Sequence, residues 1–516
     1  MKNDIFDDVM YNNVPRNSFD LSHDRKFSAK LGRLYPCLVQ EIVPGDSFSV
    51  QSEQLIRMAP LVSPVMHRVT ATTHYFFVPN RLLWEGWEDF ITNPLSTDNP
   101  APIISKQHFT KTDNTNDVGK ISDYLGYPTN SPDNVEFNPF PFAAYNLIYN
   151  EYYRDQNLQS EKLYALSDGY NTELNIDSMW AFEPYKRAWN KDYFTSALPE
   201  PQKGEAVTLP LGNTADINYV NNSQTRAYDT SGNPSPNSSI SAWNGGLQTA
   251  NSVDVSLDVS DSLEVDLTSA TAITVEDLRR ATRLQEWLEI NARGGTRYIE
   301  SIQNHFGVKS PDARLQRPEY LGGGKSNISF SEVLQTSSSD QTTPQGNMAG
   351  HGINVGNSNR MDNVTFTEHG FIIGIFSVMP ETAYMNSTPR WSFRFDPLDY
   401  LWPKFAQLGE QPVYTKEVNG ASNSNDGQKV FGYQSRYADY KYNHNTVHGD
   451  FKGNLDFWHM ARKIDANPVL NSQFIECDAT TRVFAVEDPE IDNMYVHMFH
   501  RINARRPLPR YNIPSL

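Results

Sequence analysis

FTEHGFIIGIFSVMP, residues 366–380, decides the fold. From Phe371 to Met379 the run is apolar almost without interruption and rich in Ile and Phe. It is too short for a core helix and is closed by Pro380, so it reads as a buried strand, with Gly374 as a bulge. Strand signals continue on both sides. WSFRF (391–395) alternates Trp391, Phe393 and Phe395 with polar residues, the pattern of a half-exposed strand. HRVTATTHYFFVPN (67–80) is rich in Thr, Val and aromatics. LYPCLVQEIVPGDSFSVQ (34–51) breaks at Pro44-Gly45-Asp46 into a pair of strands. VFGYQSRYADYKY (430–442), TRVFAVE (481–487) and MYVHMFHRI (494–502) add three more. Strands separated by long insertions do not build βαβ units. An antiparallel sandwich or jelly roll is the expected architecture.

Helical periodicity is confined to a few places. In TAITVEDLRRATRLQEWLEINARGGTRYIESIQNHFG (271–307), Leu278, Ala281, Leu284 and Leu288 share a face after a Thr274 cap. Gly294-Gly295 ends that helix, and a shorter one from Thr296 presents Ile299, Ile302 and Phe306. RLLWEGWEDFI (81–91) reads as a helix capped by Asn80, weakened at Gly86. FAAYNLIYNEYYRDQN (142–157) carries a stripe of Phe142, Tyr145, Ile148, Tyr149 and Tyr152, suited to core packing or to stacking on bases. Residues 93–138, 205–262, 337–360 and 417–428 are polar and read as loops. The 205–262 stretch has too few large aliphatics for a core of its own and reads as a surface excursion.

The chain has 516 residues, a length that suggests two to four domains unless one β domain carries large insertions. No apolar run approaches the ~20 residues of a membrane helix. The first twenty residues lack the apolar core of a signal peptide, so a cytoplasmic origin is expected. The two cysteines, Cys37 and Cys477, read as small buried hydrophobes. A net charge of −17 excludes a chain that binds nucleic acid through its overall charge. Two local stretches run the other way. Arg16, Arg25, Lys26, Lys30 and Arg33 form either a solvated surface or an arm on an anionic partner such as packaged DNA. Arg501, Arg505, Arg506 and Arg510 sit in HRINARRPLPRYNIPSL, whose prolines predict an extended arm that contacts phosphate or merely keeps the tail soluble.

Catalytic and metal patterns fail on inspection. GGGKS (322–326) suggests a phosphate loop, but the first glycine of that pattern would fall at Glu319. His444 and His448 have helical metal spacing in a Gly/Asn-rich loop, without the Glu that a zinc protease places after its first His. No nucleophile elbow is present. No cofactor is expected.

Longer words carry a resemblance. ARGGTRYIE (292–300), HFGVKSPDARLQRPEYLGGG (305–324), TPQGN (343–347) and FTEHGF (366–371) resemble the major capsid protein of gokushovirus-type microviruses. So do RNSFDLSH (16–23), EIVPGDSF (41–48), FFVPNRLLWEGWEDF (76–90), AYNLIYNEYYRDQN (144–157) and GYQSRYADYKY (432–442). The ending RPLPRYNIPSL is similar too, with Arg510 where the family pattern is apolar. The resemblance implies a mainly β protein: a single eight-stranded antiparallel jelly-roll domain with long loop insertions, a few short helices and terminal arms. It implies a homo-oligomer, built through pentamers into a T=1 icosahedral shell around a circular single-stranded DNA genome. It further implies a small basic DNA-packaging protein and minor spike or pilot proteins as partners, and assembly in a bacterial host cytoplasm. Residues 205–262 would be a protrusion facing a host receptor, with Tyr219, Tyr228 and Trp243 as its candidate contacts. A β-sandwich carbohydrate-active enzyme or lectin is the competing class, suited to aromatic-rich loops and paired carboxylates.

Overall fold

The computed structural model describes residues 15–92, 107–108, 118–129, 136–169, 182–205, 207, 216–219, 226–229, 240–243, 246–249, 255–258, 263–266, 275–294, 298–307, 316–337, 345–422 and 427–511. Ten strands among them form one curled antiparallel sheet. They are β1 (Asn17–Asp20), β2 (His23–Ala29), β3 (Tyr35–Ile42), β4 (Ser47–Met58), β5 (Val69–Pro79) and β6 (Glu319–Asn327). β7 (Ser329–Leu334), β8 (Met348–Thr365), β9 (Gly370–Pro380) and β10 (Met494–Arg506) complete it.

Two of these are accessory, since β1 extends the edge made by β2 along β10, and β7 pairs only with β8. The remaining eight lie side by side as β2–β10–β4–β8 and then β6–β5–β9–β3. In chain order that is first, eighth, third, sixth, followed by fifth, fourth, seventh, second. This is the double Greek key of a jelly roll.

The two halves join at a narrow corner. Gly322 and Gly323 of β6 face Met361 and Arg360 of β8 on one side, and Tyr75 and His74 of β5 on the other. A Cβ on Gly322, whose φ is +138°, would lie 2.7 Å from the Arg360 carbonyl oxygen. On Gly323 it would lie 2.3 Å from that of Thr73. Only bare backbone fits where the sheet turns this sharply. That is the physical content of the GGGKS stretch.

Every residue of β9 is buried. Its inward Ile372 packs with Phe48, Tyr75 and Ile502, and its Phe376 and Val378 with Ile56, Met58 and Val496. Its outward Phe371, Ile373 and Ile375 meet Trp84, Phe140 and Tyr145 of a second cluster that includes the helix Phe140–Ile148. A strand covered on both faces favours apolar side chains throughout, hence a run that only the small Ser377 interrupts. β4 and β10 instead alternate buried with partly or fully exposed residues, so no further layer buries their outer face. Inside the barrel, Ser52 Oγ lies 2.5 Å from the Tyr75 hydroxyl and donates to His500 Nδ1 at 2.6 Å. His500 Nε2 donates to the Cys37 carbonyl at 2.9 Å. Both ring nitrogens are thus matched in the neutral form. Burial, with His23 nearby, pushes the imidazole down to about 4.

Residues Gln202–Ala292 form a separate compact unit. Three nested antiparallel pairs lie in it: Asp216–Tyr219 with Leu263–Asp266, Arg226–Asp229 with Val255–Asp258, and Ile240–Trp243 with Gly246–Thr249. Residues 205–262 therefore hold ribbon strands rather than loop alone. Leu278 and Leu284 of the helix Val275–Gly294 are about half exposed, so its expected apolar face is not packed away. The Thr274 cap lies outside the described residues.

Several expectations change. The basic segments at both ends are not free arms, because β1 and β2 pair with β10 in the main sheet. Asn503 and the arginines alternate there with buried Ile502 and Ala504, and Pro507 stops the strand one residue later. The polar stretch 337–360 contains most of the strand β8. WSFRF begins as a 3-10 turn, Arg390–Phe393, with Trp391 and Phe395 exposed, and TRVFAVE forms no strand beyond a single bridge from Phe484 to Leu61. β3 and β4 do not pair with each other, because the Pro44–Asp46 turn sends the chain from one half of the barrel to the other. The expected helix from Asn80 is only a 3-10 turn to Leu82; Trp84 then bridges to Leu166, Gly86 lacks a Cβ and so leaves room for the Trp84 ring, and the helix starts at Trp87.

Candidate subunit interface

Past β9 the chain runs from Arg390 to Leu408 through three 3-10 turns, Arg390–Phe393, Pro397–Asp399 and Pro403–Phe405. Prolines 389, 397 and 403 cannot donate to a sheet, so the segment takes turns instead. Its shape is fixed locally by a capping box. Asp396 accepts from the Leu398 N–H at 2.8 Å, and Asp399 accepts from the Phe395 and Asp396 N–H groups at 3.0 Å each.

Charges behind the segment hold it further. Arg394 pairs with Asp439, which also accepts from Gln411 at 3.1 Å. The Arg394 guanidinium sits 4.2 Å from the Tyr440 ring centre. Arg390 donates to Glu417 at 3.0 Å, and the other Glu417 oxygen accepts from the Tyr193 hydroxyl at 3.0 Å. Burial pushes the Glu417 carboxyl above its usual range, and the Arg390 charge works against that shift. The Leu401 and Trp402 N–H groups donate to the hydroxyls of Tyr440 and Tyr437 at 3.2 and 3.1 Å.

The apolar side chains on this scaffold face solvent. Phe395 is 89% exposed, and Trp391, Leu398, Tyr400, Trp402 and Leu408 are at least half exposed. Buried ion pairs carry a desolvation cost. Here they fix a loop whose hydrophobes gain nothing within the subunit. A preorganised apolar patch with an aromatic and arginine frame is the makeup of an interface anchor. Sequence reasoning noticed Trp391, Phe393 and Phe395 but assigned them to a strand.

The cations singled out by sequence divide in two. Arg25 donates to the Tyr124 carbonyl, and Arg33 pairs with Glu183, with Lys30 lying 3.9 Å from the same carboxylate. Arg506 bonds Asp46 at 3.0 Å and the Glu41 carbonyl at 2.6 Å. These four hold the fold. Arg16, Lys26, Arg501, Arg505 and Arg510 are exposed, Arg501 reaching Glu53 at 3.5 Å. Arg501 and Arg505 share the bare face of β10 with Tyr495, His497 and Phe499, beside Lys26 on β2 and Arg57 on β4. Tyr219, Tyr228 and Trp243 end or occupy ribbon strands, and their side chains lie outside the described residues. Cys37 and Cys477 are free, buried thiols. No described helix is long and apolar enough to cross a membrane.

A jelly roll with large insertions and an exposed, rigidly framed aromatic segment defines a coat subunit. The chain belongs to the phage family described as Capsid protein (F protein), whose pattern matches residues 8–516. It is 37% identical over 520 residues to capsid protein VP1 of Bdellovibrio phage phiMH2K, covering 97% of this chain and 95% of that one. Its identity to capsid protein VP1 of Chlamydia phage 1 is 36% over 588 residues, covering 100% and 98%. To capsid protein VP1 of Spiroplasma virus 4 it is 31% over 536 residues, covering 98% and 96%. The gokushovirus-type resemblance is therefore shown. The chain is a major capsid protein with a structural role in the virion, not an enzyme. The carbohydrate-active alternative falls with that finding.

Proposed function

We propose that this subunit closes, through pentamers, into a small icosahedral shell around a circular single-stranded DNA genome, with Arg390–Leu408 as a principal contact between copies. The observation that carries the reading is the exposed aromatic segment locked by buried ion pairs. Its side chains gain burial only when a neighbour covers them, at roughly 1.5–3 kcal/mol for each fully covered residue. The bare face of β10, with Arg501 and Arg505 interleaved among Tyr495, His497 and Phe499, suits a single strand, since aromatic faces stack bases and arginines meet phosphate. Lys26 and Arg57 add cations to that face, while Asp24 and Glu53, which pair with His497 and Arg501, offset part of its charge; Arg16 and Arg510 are further exposed cations of the terminal segments. Most of the chain is acidic, so a small basic packaging protein supplies the remaining neutralisation. Residues 205–262 are a protrusion carried on a single jelly-roll domain, presenting Tyr219, Tyr228 and Trp243 to a host receptor. Minor spike or pilot proteins complete the particle, which assembles in the host cytoplasm.

The test is sedimentation of purified full-length protein with and without Phe395→Ser and Trp402→Ser. Shells or pentamer-sized species are expected from the wild type. The double variant should stay monomeric while melting within a few degrees of it. Unchanged assembly by the double variant would remove this segment from the contact.

A further inference from the structure

Beneath the aromatic lip of Arg390–Leu408 lies a cavity of about 130 Å³. Four cations line it, Arg390, Arg394, Lys416 and Arg436, against three carboxylates, Asp399, Glu417 and Asp439. The carboxylates are already engaged. Glu417 accepts from Arg390, the Tyr414 N–H and Tyr193. Asp439 accepts from Arg394 and Gln411, and Asp399 from two backbone N–H groups. Arg390 and Arg394 are paired with Glu417 and Asp439, and Lys416 lies over the Phe393 and Tyr414 rings, yet two guanidinium donors stay unmatched. Nε of Arg394 and Nε of Arg436 are buried without a hydrogen-bond partner, and the Arg394 side chain is only 8% exposed. A guanidinium N–H stripped of water and given no acceptor asks for an anion.

We propose that this cavity is a socket for a carboxylate of a second copy of the chain, delivered by the acidic loop Val486–Ile491. The inference rests on Arg390–Leu408 being a subunit contact. The loop reads Val-Glu-Asp-Pro-Glu-Ile and is exposed throughout, with Val486 and Ile491 more than half exposed on either side of its acids. Asp488 bonds the Glu490 N–H at 2.9 Å inside the loop, which leaves Glu487 and Glu490 to reach outward. Glu490 itself lies 4.0 Å from Lys30, a contact it can exchange. An acidic tip between two aliphatic side chains complements a cationic cavity lined also by Phe393 and Leu398. Socket and loop are different surfaces of one chain, so the contact is heterologous, and repetition of it closes a ring. Free anions and nucleic-acid phosphate share the carboxylate's chemistry, and the test separates them.

The experiment uses full-length subunit kept unassembled at low concentration and titrated with sodium acetate. The wild-type melting temperature should rise with acetate, by less than half as much in Arg436→Met, and nearly in full in Arg436→Lys. Assembly followed by light scattering should slow at least tenfold in Glu487→Gln/Glu490→Gln, while an exposed control, Glu332→Gln, assembles normally. Arg436→Glu should block assembly, and Glu487→Lys/Glu490→Lys in the same chain should restore it. No acetate response would overturn the socket. An acetate response with normal assembly of the Gln variant would overturn the second copy as occupant and assign the cavity to a free anion or to phosphate. Failure of the wild type to assemble at all would count against the shell reading, while the melting data would still decide whether the cavity takes an anion.

Discussion

Gly323→Ala should cost this subunit several kcal/mol for the addition of one methyl group. The new Cβ would land 2.3 Å from the Thr73 carbonyl oxygen and 3.1 Å from the His74 Cα. An ordinary carbon–oxygen contact needs about 1 Å more than the first of these, by the usual van der Waals separation. The obstacle is backbone in a paired strand, so no rotamer change relieves it. β5 and β6 must part exactly where β6 also holds β8. Overpacking a rigid site costs ~1–3 kcal/mol, and losing the adjacent ladder bonds adds ~1 kcal/mol each. A total of about 3–4 kcal/mol is expected. Gly323 has no positive φ, so the loss is steric rather than conformational. Glu332→Ala, at an exposed position of the accessory strand β7, supplies the control. Urea unfolding of the unassembled subunit, read by far-UV circular dichroism, compares the three proteins. A Gly323→Ala midpoint equivalent to less than 0.5 kcal/mol from wild type, by the usual scatter of surface substitutions, would refute the claim that this corner requires bare backbone.

Other outcomes follow from the same structure. The folded His500 pKa of about 4 lies below the unfolded value near 6.5, so the unfolded chain takes up the proton first on acidification. The associated stability, at most ~3 kcal/mol, is present above pH 6.5 and lost as pH falls towards 4; His500→Gln should flatten the dependence measured by chemical unfolding from pH 4 to 7. Arg394→Ala strands the nearly buried Asp439 and should lower stability by ~3–5 kcal/mol. Arg283→Ala, from a pair with Glu286 in which the Arg side chain is 81% exposed, should cost under ~1 kcal/mol in the same urea unfolding. Burial pushes both Cys37 and Cys477 up to about 12, so iodoacetamide at pH 8 should label neither in the native protein and both in urea, as read by intact mass.

How much of this was legible in the sequence depended on where each strand's signal is stored. β9 announces itself because both of its faces are inside, and only Ser377 interrupts its apolar run. β8 hides for the opposite reason. Its inward positions include Gly350, Gly352 and Asn354, and the space they leave is filled from neighbours: a Cβ on Gly352 would meet Met58 Sδ at 2.7 Å, and on Gly350 the Ser63 carbonyl at 2.2 Å. The hydrophobic signal of that strand is carried on other parts of the chain. The terminal strands were masked by arginines and prolines, with only Ile502 and Ala504 marking the buried face of β10 beyond Arg501. Trp391, Phe393 and Phe395 alternate like a strand, but their spacing answers to a surface rather than to this core. The site's frame was invisible, because Arg394 and Asp439 lie 45 positions apart and meet only after the fold forms. Family words in the chain, not periodicity, carried the functional reading.

The barrel is upholstered on one side alone. Around β9 the chain furnishes its own padding, so that wall is finished when the subunit folds. Along β4 and β10 the outer side chains stay wet and contribute little to folding. Damage there should leave a monomer that melts close to the wild type, and if this wall meets the genome as proposed, its effect would register in what the completed particle can hold.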